Sequence, residues 1–291
     1  MKKIKEARDD FISLIDPSNI QIKTKLPFIW VFGASGNNSK RHKFLKWHLE
    51  HTSHDLSKYL KTIEDYNDWL HFNQYSNLVD FELDIAQISQ AIIIFSEGPG
   101  AISEIGMLSC FTELHKNILI IVDEDYIKPS KHSFFNHGPI KKIRDNQISN
   151  ETTNIWSLDK MSYSDEELNH VFNDISDHIY DIITFKKGTV NLDKNNKYHI
   201  IILIIDIIDL FPGQVIKFYS EILSELGINI NNTDVKSIFN LLRLIGIIEI
   251  KFSGKNTFYF MHSPREYISC LNYQAKKPNR FERVEFKIRW N

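Results

Sequence analysis

Cysteine is scarce in this chain. Only Cys110 and Cys270 occur among 291 residues, far apart and without metal-ligand spacing. Their scarcity excludes a disulfide framework and a cysteine-based zinc site, and a reducing cytoplasm is the expected compartment. Long apolar runs are also missing. The greasiest segment, Ile200 to Ile208, spans roughly half of the ~20 residues a membrane helix needs and contains Asp206. It reads as a buried helix. The first ten residues have no apolar signal-peptide core, so a soluble protein without membrane contact is expected. No internal repeat or low-complexity segment is present. Net charge is nearly absent too, at −2 from 35 basic and 37 acidic residues. That balance hides an asymmetry: residues 194–291 carry a net +5 and residues 1–193 a net −7. An acidic front half and a basic back half suggest two domains with different partners. A hydrophobic content of 42% is enough for real cores and excludes wholesale disorder.

Residues 1–25 read as an amphipathic lead-in helix ending near Asp16-Pro17. Pro27 to Gly33 is a continuous apolar run, as are Ala91 to Phe95 and Asn117 to Asp123, with Asn154 to Ser157 a fourth candidate. Strands apolar on both faces belong in a parallel sheet covered by helices. Helices fit about 42–47, 78–90, 101–114 and 164–186. Strand, glycine loop and helix in repetition describe a Rossmann-like open α/β sheet, whose ligands sit beyond the carboxyl ends of the strands. This front domain covers 1–190. Residues 188–197 read as a polar linker. Beyond it, helices at 198–210, 213–226 and 232–245 precede strands at 247–252 and 257–261 around Ser253-Gly-Lys-Asn256. That order predicts a winged helix-turn-helix domain over 197–291, with Asn232 or Thr233 capping the recognition helix.

The most distinctive segment runs from Leu83 to Gly106. It combines a helix bearing Asp84, a buried strand, a Gly98-Pro99-Gly100 turn and Glu104 in the first turn of the next helix. Gly98 and Gly100 permit close approach of a ligand and a sharp turn. A helix N-terminus suits ribose hydroxyls or phosphate, which makes Pro99 and Ser103 candidate substrate contacts as well. A carboxylate such as Glu104 at that mouth can attack an anomeric carbon or steady an oxocarbenium ion. Asp84 is a candidate second carboxylate, acting as acid or ribose anchor. Glutamate in a first helical turn also simply complements the helix dipole, worth ~0.3–1 kcal/mol. Gly33, Ala34 and Ser35 form a second loop that fits a phosphate held by backbone amides, with Arg41 as counter-charge; simple turn chemistry fits it equally.

Ser96-Glu-Gly-Pro-Gly-Ala-Ile-Ser-Glu-Ile-Gly106 resembles the signature of nucleoside deoxyribosyltransferases and related nucleotide-handling α/β proteins. The resemblance implies that Glu104 is the glycosidic nucleophile and that Trp30 to Ser35 is the first strand with its ribose- or phosphate-facing loop. It places Asp84 against the base or sugar. Two departures point away from base exchange and toward cleavage of an N-glycosidic bond. Gln90 stands where those proteins carry aspartate. An insert of about 45–75, with His48, His51, His54, Tyr66 and Trp69, also differs from their pattern. With the winged helix added, the whole chain resembles the effector subunit of bacterial retron systems. The resemblance implies a phage-defence toxin that consumes NAD or a related nucleotide as substrate, with no separate cofactor. It also implies a higher-order assembly with the retron reverse transcriptase and its msDNA, an RNA-linked single-stranded DNA.

Other chemistries fit less well. Gly33 to Gly36 with Lys40 lacks P-loop spacing. The histidines at 42, 48, 51 and 54 lack a convergent acidic or cysteine partner, so no metal site is expected. Phe44 and Trp47 read as core. In the back half, Lys236, Arg243 and Lys255 are candidate phosphate contacts. Lys276, Lys277, Arg280 and Arg283, with interleaved aromatics, read as a nucleic-acid or partner-docking arm or as a solvated basic tail. The alternative to an enzyme is a nucleotide-sensing, DNA-binding regulator without catalysis.

Overall fold

The run Leu26-Pro-Phe-Ile-Trp-Val-Phe32 has too few polar positions to face water on either side, and it lies inside a sheet. The computed structural model describes residues 2–51, 56–70, 75, 77–146, 154–158, 163–184, 188–265 and 267–290. Two compact units divide the chain, one of Pro27–Asp65 and Val79–Lys186, the other of Met1–Leu26, Tyr66–Leu78 and Lys187–Asn291.

The first unit is built on β1 (Leu26–Phe32), β2 (Leu60–Lys61), β3 (Ser89–Phe95), β4 (Ile118–Asp123) and β5 (Ile155–Leu158). The sheet is parallel, in the order β2-β1-β3-β4-β5, with Ile29 opposite Leu60, Ile93 opposite Leu119 and Ile121 opposite Trp156. Helices α1 (Lys40–Glu50), α2 (Leu78–Ile88), α3 (Pro99–Leu108) and α4 (Asp165–Thr184) accompany it. Phe44 and Trp47 of α1 join Phe95, Phe172 and Ile175 in one buried cluster. The expected apolar strands thus form a Rossmann-like α/β sheet. Two differences are local. The two-residue strand β2 has no apolar run of its own and lies unannounced in the insert. Helix α3 stops at Leu108, where a 3-10 turn over Thr112–Asn117 takes up the remainder of the expected helix. His54 and the side chain of Trp69 lie outside the described residues.

In the second unit the expected linker is partly a strand. Val190–Asn191 pairs antiparallel with Gln21–Ile22, which pairs in turn with Leu271–Asn272. Pairing satisfies backbone groups that a polar linker would leave to water. Helices α5 (Lys197–Leu210), α6 (Ile216–Glu225) and α7 (Asn232–Leu244) follow, then a hairpin of β6 (Ile248–Ser253) and β7 (Asn256–Met261), and later α8 (Arg283–Trp290). Gly254 turns the hairpin at φ +59. Asn231 caps α7, one residue before the expected cap, by accepting from the Asp234 N–H at 2.8 Å.

Helix α5 is apolar all round and therefore buried; every residue from Ile200 to Leu210 is enclosed, including Asp206 and Asp209. Burying two carboxylates is costly unless each is paired and hydrogen-bonded. Asp206 accepts from the hydroxyls of Tyr267 at 3.0 Å, Ser269 at 2.5 Å and Tyr273 at 2.8 Å, and from Arg283 at 2.5 Å. Asp209 takes the other arm of Arg283 and the Lys287 ammonium at 2.9 Å. The last helix is therefore held into its own unit, and Phe286 joins Phe11, Phe211 and Phe281 in edge-to-face and tilted contacts. Asp206→Ala leaves Arg283 short of its buried partner. It is expected to lower the unfolding free energy in urea by roughly 3–5 kcal/mol, whereas an unchanged midpoint would deny the pair a structural role.

Candidate active site

The strand order reverses between β1 and β3, and in open α/β sheets the crevice at such a switch lies beyond the carboxyl ends of the strands. Here those ends are the loops opening at Gly33 and Ser96. Gly33 has φ +139, and a side chain would meet the Phe95 Cβ and carbonyl oxygen at 3.0 Å, so both close approach and backbone conformation demand glycine. The loop runs past Ala34 and the exposed Ser35 to Ser39, whose hydroxyl accepts from the His42 N–H and donates to the Ala34 carbonyl at 2.7 Å. The hydroxyl caps α1 in this way.

The features read as a phosphate cradle are filled by carboxylates. Glu97, in the loop after β3, accepts from the N–H groups of Lys40 at 2.7 Å and Arg41 at 3.2 Å. The Lys40 ammonium lies 3.8 Å from Glu97 and 3.5 Å from Asp123 at the end of β4. The Arg41 guanidinium is buried and forks onto both oxygens of Glu64, at 2.7 and 3.2 Å. A phosphate at this helix N-terminus would have to displace Glu97.

Glu104 sits in the first two turns of α3. One of its oxygens, Oε2, is buried and finds no hydrogen-bond donor among the described residues. Burial pushes its pKa up to about 7, Arg41 pulling it down and Glu64 pushing it further up. The second carboxyl in this field is Glu82 of α2. It is 4% exposed, and burial together with the charges of Glu104 and Glu64 raises its pKa to about 8. Burial also acts on Glu64, but the Arg41 hydrogen bonds outweigh it and hold that carboxyl below its ordinary value. Near neutral pH the site therefore holds one anion, one neutral acid and one carboxyl close to its midpoint. Perturbed groups of this kind, converging at a predicted cleft, mark a candidate active site.

The expected residues fall into three groups. Glu104, Arg41 and the loop from Gly33 belong to the switch-point region. Gly98 and Gly100 both face open space, but Gly98 is extended at φ −168, so room for a ligand rather than a left-handed turn is what they supply. Pro99 opens α3, and the Ser103 hydroxyl donates back to its carbonyl at 2.9 Å. Asp84 is buried on α2, roughly 200° around the helix from Glu82. Glu82 carried a legible signal: it falls in the apolar stripe of Leu78, Phe81, Ile85 and Ile88, where a carboxylate is costly. Glu64 carried none, lying in an irregular 3-10 segment over Ile63–Leu70.

Of the basic candidates, Lys236, Arg243, Lys255, Lys277 and Arg280 are exposed, while Lys276 donates to the Ile12 carbonyl at 3.0 Å. Arg283, expected in the docking arm, is instead committed to Asp206 and Asp209 and is no free docking charge. His48 is buried against the Ser176 hydroxyl at 3.0 Å, and His51 stacks on Trp47. Among the described residues no group of three or more His, Cys, Asp or Glu side chains could hold a metal ion. A cavity of about 280 Å³, lined by Pro27, Tyr59, Gln90 and Tyr180 among others, opens where β1 and β3 begin, away from the acidic cluster.

Fold and site together define an open parallel α/β protein with an acidic centre at its topological switch point. The model of the STM3845 retron effector protein family matches residues 37–250, well over half of the chain, and the chain belongs to that family. It is similar to two Escherichia coli proteins, the retron Ec86 and Ec73 putative ribosyltransferase/DNA-binding proteins. Identity is 30% over 100 residues with the first and 26% over 183 residues with the second. Those matches span 31% and 59% of this chain, and 32% and 55% of the relatives' own lengths. No helix among the described residues is long and apolar enough to cross a membrane.

The raised carboxyls tie stability to pH. Each binds more protons folded than unfolded, so their contribution is full below the ordinary value of 4.5 and is lost as pH rises toward about 8. Glu82→Gln is expected to raise the melting temperature at pH 8.5 by several degrees and to change it little at pH 4. An equal effect at both pH values would contradict the burial of an ionising group there.

Proposed function

We propose that the α/β unit cleaves the N-glycosidic bond of NAD or a related nucleotide, with Glu104 as nucleophile. The observation that carries this reading is the Glu104 carboxylate oxygen, buried and unpartnered at the switch-point crevice while Arg41 favours its ionised form. Attack at C1′ breaks the bond to the base, whose nitrogen takes the electron pair, and forms a glycosyl ester on Glu104. Water then hydrolyses that ester. Glu82, rather than Asp84, supplies the proton, because it shares the electrostatic field of Glu104 and stays neutral at pH 7. A purine or pyrimidine needs that proton to leave. Nicotinamide does not, since its ring nitrogen is already cationic in NAD.

Membership of the retron effector family supports a role in anti-phage defence. In this reading the protein is a toxin that drains a nucleotide pool, held in check by the reverse transcriptase and msDNA in a higher-order assembly. The E. coli relatives' names, ribosyltransferase and DNA-binding protein, support glycosyl-transfer chemistry and a nucleic-acid contact. The three helices and hairpin of the second unit then form a winged helix-turn-helix. Lys236 and Arg243 on α7 and Lys255 at the hairpin tip are offered as its phosphate contacts.

Incubating the protein and its retron partners with NAD and with nucleotides, and following free base by chromatography, tests the reading. Glu104→Gln is expected to lower base release by at least about 10³-fold. Glu82→Gln should slow purine or pyrimidine release about 10²-fold or more and spare nicotinamide release. Full activity in Glu104→Gln would overturn the assignment; sequence-specific duplex binding with no base release in any state would favour a nucleotide-sensing regulator instead.

A further inference from the structure

We infer that Glu97 is a positioning residue for Glu104, acting through Arg41; the inference rests on the reading of Glu104 as the reacting carboxylate. Glu97 lies between β3 and α3, two residues before the helix that carries Glu104. Its carboxylate bridges to the other wall of the crevice by capping the first two N–H groups of α1, at 2.7 and 3.2 Å. The second capped residue is Arg41, whose side chain forks onto Glu64 and whose charge acts on Glu104.

One side chain thus ties the loop leading to the reacting carboxylate to the helix bearing the cation that keeps it ionisable. Charge reinforces the tie, since a carboxylate at a helix N-terminus is favoured by the helix dipole. Lys40 extends it to Asp123 at the end of β4, so the ends of three adjacent strands are linked. A neutral or shortened residue at 97 weakens the tie between the Glu104 loop and the Arg41 backbone, so the guanidinium is held less firmly in its position relative to Glu104. The charged groups acting on Glu104 are Arg41 from α1 and Glu64 from the 3-10 segment, and the Glu104 charge in turn acts on Glu82 of α2. Only the first favours ionisation, so loosening it moves the balance in one direction.

The test is a carbon-13 NMR titration of the full chain with labelled glutamate carboxyls, the Glu104 signal being identified by its loss in Glu104→Gln. In Glu97→Ala the Glu104 midpoint is expected to rise from about 7 by roughly one unit, with a smaller rise in Glu97→Gln. The ascending limb of the pH profile of base release should move by the same amount. An unchanged midpoint in both variants, with only a lower melting temperature, would reduce Glu97 to a helix cap and overturn the proposal. If Glu97→Ala does not fold, Glu97→Gln decides alone, because it keeps one acceptor and loses the charge. Persistent base release in Glu104→Gln would defeat the nucleophile reading instead, leaving the dependence of the midpoint on residue 97 to be judged by itself.

Discussion

One buried guanidinium sets the chemistry of the α/β unit. Arg41 is the cation acting on Glu64 and Glu104, two carboxyl groups that burial, as at the more enclosed Glu82, would otherwise move toward their neutral forms. It is bonded directly to Glu64, which stays anionic. Its field reaches Glu104 and offsets part of the burial effect there. Glu82 has no such help and is the most strongly raised of the three. The unequal action of a single positive charge, set against unequal burial, therefore separates carboxyls of identical chemistry into anion, intermediate and acid. Division of labour between paired carboxyls is what cleavage of a glycosidic bond requires.

That arrangement depends on the sheet. The order β2-β1-β3-β4-β5 puts the loop carrying Glu97 beside the loop leading to Arg41, and the close approach at Gly33 leaves no room for a side chain between β1 and Phe95. The second unit follows a different logic. Its central helix, α5, carries Asp206 and Asp209 in an otherwise apolar face, and the chain's last helix returns with Arg283 and Lys287 to meet them. Buried ion pairs of this kind are weak stabilisers against a hydrophobic alternative but are severely missed when half is removed.

Much of the fold was legible because the strands of a covered parallel sheet must be apolar throughout. Ile92 to Phe95 and Ile118 to Val122 could hardly be anything else. The short strand β2 was not legible: Leu60-Lys61 is two residues long and owes its place to pairing with Ile29 and Trp30, a tertiary effect. For the same reason Val190–Asn191 read as linker. In the site, Glu104 stood out through its glycine turn and its place at a helix start, and Arg41 through its nearness to that loop. The partner of Arg41, Glu64 and not a phosphate, is not legible, because sequence shows a basic residue but not the glutamate that reaches it from another element. Glu82 is visible as a carboxylate in an apolar stripe, but Asp84, two residues on, offers the same residue type with a family resemblance to support it. Arg283 shows the converse. A basic tail looks solvated until a buried acid elsewhere in the chain claims it.

In the proposed reaction everything turns on a bond from Glu104 to the sugar. The decisive measurement is to incubate the protein, with and without the reverse transcriptase and msDNA proposed as its partners, with a 2′-fluoroarabinosyl analogue of NAD, whose glycosyl-enzyme is slow to hydrolyse, and to record the intact and peptide masses. One added sugar-nucleotide residue per chain is expected, carried by the peptide at Glu104 and absent in Glu104→Gln. Release of the base with no adduct, or with the adduct on another residue, would contradict it.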